Sequence, residues 1–81
     1  MDSSQTAAIA ADTTDPKAGL RAVASLRVLA DTLELQQVEA ALRAGMSWQE
    51  IADALGVTRQ AAHKKHAKRV DPTIAYVRRN A

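Results

Sequence analysis

Between Thr58 and Val70 the chain carries five cations (Arg59, Lys64, Lys65, Lys68 and Arg69), two histidines (His63 and His66) and no acid. Side chains of this type at this density suit one kind of chemistry, the neutralisation of a polyanion. A solvated basic helix face accounts for the same run, and on charge alone the two readings stand level. His63 and His66 are three residues apart, which puts them on neighbouring turns of a helix. No cysteine and no third ligand accompany them, and the lysines between them repel a cation, so no metal site is expected. The chain has no glycine-rich phosphate loop, no nucleophile-and-base set and no paired carboxylates. Neither an enzyme nor a cofactor nor a small-molecule substrate is expected.

The net charge of +2 conceals a division. Residues 1–55 hold Lys17, Arg21, Arg27 and Arg43 against eight acids, whereas residues 56–81 hold seven cations against Asp71 alone. The 81 residues make one small domain, 47% hydrophobic, and 18 of those hydrophobic residues are alanine. Alanine has the best helix propensity and adds little to a core, so the composition predicts an all-α fold with little room for a buried pocket. The absence of cysteine excludes disulfide scaffolds and cysteine zinc sites. No apolar run approaches the ~20 residues needed to span a bilayer, so no membrane partner is expected. The start, Met1-Asp2-Ser3-Ser4-Gln5, lacks the basic and apolar regions of a signal peptide, and a cytoplasmic location is the expectation. The bias to alanine, and to arginine over lysine, suggests a GC-rich coding sequence.

Stepping along the chain, residues 1–14 show no sustained period and read as a disordered tail. Asp15-Pro16 is a helix start, a capping carboxylate followed by proline at the first helical position. The helix predicted over 16–44 has two apolar stripes on roughly opposite sides. Ala22, Val23, Leu26, Leu29, Ala30 and Leu33 form one; Val28, Leu35, Val38 and Leu42 form the other. Asp31-Thr32-Leu33-Glu34 has capping-box spacing and offers a break, but no glycine or proline supports one, so a continuous helix is favoured. The first stripe exceeds what the rest of so short a chain covers. A homodimer through Val23, Leu26, Leu29 and Leu33 is expected, the alternative being that the stripe folds back on its own domain.

Gly45 ends this helix, and Ser47-Trp48-Gln49-Glu50 is a capping box opening a helix over 48–55. Gly56 stops it. Thr58 is placed to cap a further helix over 59–69, and Asp71-Pro72 repeats the stop-and-start device. The last segment, 71–81, is a short helix anchored by Ile74 and Val77 or a frayed tail bearing Arg78 and Arg79.

The stretch from Ser47 to His66 resembles the helix-turn-helix of DNA-binding proteins. It is most similar to small stand-alone regulators of GC-rich bacteria, and more distantly to region 4 of sigma factors. The pattern is a long helix followed by a helix-turn-helix over about 47–69 within a DNA-binding domain of residues 15–70. Ile51 and Leu55 anchor its first helix, and Ala52 is small where the second helix crosses. Gly56 takes the sharp turn, Val57 plugs the angle between the helices, and Ala62 meets Ala52. Relatives of this type carry valine or isoleucine where this chain has Ala62. Trp48 resembles the aromatic that covers the core at the start of the first motif helix.

In this class the N-terminal part of the second helix enters the major groove. Arg59 and Gln60 are then the first candidates for base reading, through guanine and adenine respectively, with His63 and Lys64 next. Lys65, Lys68 and Arg69 are placed for phosphate, as are the capping hydroxyls of Ser47 and Thr58. The resemblance implies a transcriptional regulator of double-stranded DNA; the dimer expected from the apolar stripe would bind an inverted repeat with half-sites about one helical turn apart. Two other classes compete: a nucleoid-associated architectural protein of low sequence preference, and an adaptor using helix 16–44 to contact a partner such as RNA polymerase.

Overall fold

The computed structural model describes residues 2–74, and all regular structure among them is helical. Four helices follow in order: α1 (Ser3–Ala11), α2 (Pro16–Arg43), α3 (Trp48–Leu55) and α4 (Arg59–His66). None of them is long and apolar enough to cross a membrane. The chain divides into two compact units, one ending at Leu33 and the other beginning at Glu34, and α2 contributes to both.

In the first unit the expected tail is a helix. The Asp2 carboxylate accepts from the Gln5 amide at 2.8 Å and the Gln5 side chain accepts from the Asp2 amide at 3.2 Å, a complete capping box. Alanine-rich sequence then propagates the helix although it buries no residue. Asp12 turns the chain: the Thr14 hydroxyl and amide both donate to it, which holds its carboxyl below the usual aspartate range. Asp15 accepts from the Ala18 amide at 3.2 Å and starts α2, as its place before Pro16 predicts. Gly19 and Ala22 are buried, and the carbonyl oxygens of Ile9 and Asp12 pass close to Gly19.

The helix α2 does not break at Asp31. Thr32 donates its hydroxyl to the Val28 carbonyl at 3.1 Å within the helix, and Glu34 is engaged elsewhere, so the capping-box spacing is not used. Within the second unit Val38 and Leu42 of α2 join Ile51 of α3, Val70 and Ile74 in the core, with Leu35, Ala41, Met46 and Trp48 packed around them. Gly45 ends α2 at φ +88°, its amide bonding the Leu42 carbonyl while the Met46 amide reaches Ala41. Gly56 ends α3 in the same way, at φ +73°, with Val57 reaching Ala52. Past Asp71 the chain re-enters helical conformation at 72–74; the remainder of the predicted C-terminal segment, with Val77, Arg78 and Arg79, lies outside the described residues.

Candidate nucleic-acid interface

The helices α3 and α4 pack together across the Gly56 turn. Ala52 has no exposed surface and Ala62 only 2%, so small side chains occupy both helices where they pack. The Ser47 hydroxyl accepts from the Glu50 amide and the Glu50 carboxylate accepts from the Ser47 amide, while the Thr58 hydroxyl accepts from the Ala61 amide at 3.1 Å. Both hydroxyls assigned to phosphate therefore have structural partners as caps.

Two anchoring roles read from the motif do not hold. Leu55 is 37% exposed and Val57 45%. Leu55 lies at the edge of an open apolar groove beside Met46 and Ala54, and Ile51 anchors α3 to the core without it. Val57 contributes its amide to the glycine cap, but its side chain is left half open.

Arg59, Gln60, His63 and Lys64 are all exposed, while Ala62 and His66 on the same helix are buried. The helix thus separates an outward polar face from an inward face as its period requires. His63 does not stand free: its ring meets that of half-buried Trp48 edge to face, 5.1 Å between centroids at 74°. Lys68 and Arg69 are exposed, but α4 ends at His66 rather than at residue 69. The His66 carbonyl accepts from the amides of both Arg69 and Val70, tightening the backbone into a turn that carries Val70 into the core.

The histidines part company. His66 has no exposed surface, and its Nε2 is bonded to the Glu34 carboxylate, while its Nδ1 has no hydrogen-bond partner among the described residues. Lys65 Nζ lies 2.9 Å from the same Glu34 oxygen, Oε2. The Lys65 bond holds the Glu34 carboxyl below the usual glutamate range; burial acts the other way, and the His66 bond adds to the lowering. Glu39, further along α2, accepts from the Asp71 amide at 3.0 Å. Neither glutamate stands out in the sequence as part of a site. Their one signal is position, since they flank the Leu35, Val38 and Leu42 stripe on its two sides. Among the described residues no group of three or more histidines and acids is arranged to hold a metal.

The expected dimer stripe is divided in the first unit. Val23 and Leu26 are half-buried, whereas Leu29 and Leu33 are 39% and 49% exposed. Comparison with protein-family models, with curated proteins and with solved structures gives no match.

Proposed function

We propose that this chain is a sequence-specific DNA-binding transcriptional regulator that inserts α4 into the major groove and acts as a homodimer in the bacterial nucleoid. Support comes from one feature above all: a short helix, capped by Thr58 and set by the left-handed Gly56, exposes Arg59, Gln60, His63 and Lys64 together while Ala62 and His66 fix its other side. Arg59 and Gln60 carry the bidentate donor sets that recognise guanine and adenine edges. His63 enters with its ring already oriented by Trp48. Lys68 and Arg69, on the turn beyond, supply phosphate contacts, and Ser47 and Thr58 add hydroxyls at two helix starts.

A second copy is proposed to cover Leu29 and Leu33, with Val23 and Leu26 at the edge of that contact. Sedimentation of a Leu29→Asp, Leu33→Asp variant tests this face, since a mass unchanged from that of a dimeric wild type would exclude it.

Salt titration on a selected site and on random duplexes tests the DNA reading. A regulator prefers its site by ~10³ or more, and Arg59→Ala relaxes base preference while Lys68→Ala weakens all sequences alike. Equal affinity for every duplex would indicate an architectural protein. No binding at low salt would leave α2 as an adaptor surface for a protein partner such as RNA polymerase.

A further inference from the structure

The cations of α4 are not presented equally. Lys64 is exposed on the outward face, whereas Lys65 is drawn to α2, where its ammonium and buried His66 share one oxygen of Glu34. The two bonds differ in kind. His66 is sealed from solvent and anchors the carboxylate in place. The Lys65 side chain is 50% exposed and that of Glu34 26%, so this pair opens onto solvent. An ammonium on a flexible stem donates to a carboxylate or a phosphate oxygen alike, as a point charge. A duplex laid along α4 therefore meets a lysine that already has an anion.

We propose that Glu34 is an internal competitor for the DNA backbone, withholding Lys65 from phosphate and so lowering both the affinity and the salt dependence of binding. The proposal rests on the DNA-binding reading above. Each phosphate neutralised contributes about 0.9 to the slope of log affinity against log salt. Withholding one lysine removes up to that amount, or roughly eightfold in affinity at ~0.1 M salt. The effect is indifferent to base sequence, because phosphates carry none.

The test is a salt titration of wild type, Glu34→Gln, Lys65→Gln and the double variant on a random-sequence duplex. Glutamine keeps an oxygen that accepts from His66 Nε2 but removes the Glu34 charge 2.9 Å from the Lys65 ammonium. Glu34→Gln is expected to steepen the slope by about 0.9 and to tighten binding roughly eightfold at ~0.1 M salt. Lys65→Gln alone is expected to leave the wild-type slope nearly unchanged, and in the Glu34→Gln background to abolish the gain. A gain that survives in the double variant would be general charge relief and would overturn the proposal. So would an unchanged slope in Glu34→Gln. If that variant does not fold, Lys65→Gln decides alone: a loss of about 0.9 in slope overturns the competition, and an unchanged slope supports it. Absence of any wild-type binding at low salt refutes the DNA reading itself, whereas duplex binding with an unmoved slope refutes only the role of Glu34.

Discussion

The same substitution, glycine to alanine, should act in opposite directions at Gly56 and Gly19. At Gly56 the backbone stands at φ +73° and ψ 30°, and a Cβ built there meets nothing within 4 Å. Steric contact with the fold therefore contributes nothing. The whole penalty is the left-handed backbone, about 1–2 kcal/mol for an L residue. Stiffening of the unfolded chain offsets only part of it, so the net loss is about 1 kcal/mol. At Gly19, inside α2, a Cβ would lie 3.5 Å from the Asp12 carbonyl oxygen and 3.6 Å from that of Ile9, ordinary contact distances. No positive φ is involved, so alanine should gain about 0.5–1 kcal/mol from helix propensity.

Urea denaturation separates the two sites, because Trp48 is the only tryptophan and packs on the core of the second unit. Its fluorescence should report a midpoint lowered by about 1 M urea in Gly56→Ala, taking a slope near 1 kcal/mol/M for so small a protein. Gly56→Asn should recover part of the loss, since asparagine tolerates this conformation. Gly19→Ala should raise the midpoint of the helical circular dichroism signal and leave the tryptophan transition where it was. A neutral or stabilising Gly56→Ala, or an asparagine no better than alanine, would refute a left-handed residue at this turn. With it would go the turn that sets α4 against α3.

Two further perturbations bear on the charged clasp and on α1. Glu34 titrates below its ordinary value of 4.5 in the folded chain, so its contribution is present above that pH and is lost as pH falls through the depressed folded value. Glu34→Gln should therefore cost about 1 kcal/mol at pH ~7, and the gap to wild type should close well below pH 4.5; urea midpoints at both ends check the sign. Asp2→Ala removes half of the capping box of α1 and should cost that helix about 1 kcal/mol. Faster amide exchange over residues 3–11, with no change in the Trp48 transition, is the expected result.

Legibility in the sequence followed the range of the forces involved. The starts and stops of α2 and α3 are local, written in Asp15-Pro16, Gly45, Ser47-Trp48-Gln49-Glu50 and Gly56, and the structure places the helices there. The N-terminal helix was equally local, since Asp2-Ser3-Ser4-Gln5 has the capping spacing. No apolar period accompanies that signal, because α1 buries no residue. The end of α4 had no local mark, because Ala67, Lys68 and Arg69 all suit a helix. What ends it is tertiary: Val70 and Ile74 enter a core built from α2 and α3. Leu55 and Val57 failed for a related reason, since helical period gives the face of a residue but not how far its neighbours extend to cover it. The outward set of Arg59, Gln60, His63 and Lys64 depended only on period once Thr58 fixed the start, and all four are exposed.

The division of charge along the chain has a spatial counterpart. Two acids of α2 face the basic C-terminal part: Glu34 takes Lys65 and His66, and Glu39 takes the backbone of Asp71. These bonds draw residues from beyond Gly56 onto α2 beside the core stripe, a task that so few large apolar side chains leave partly undone. The same acids subtract from the charge offered to a polyanion, so the cation count of residues 56–81 overstates the electrostatic strength of the proposed reading head. An acid placed to hold α4 through His66 also meets Lys65, since the oxygen that anchors His66 is the one within 2.9 Å of Lys65. Anchoring and the proposed moderation of binding are then one contact. Removing its charge while keeping its oxygen, as Glu34→Gln does, is the substitution that separates them.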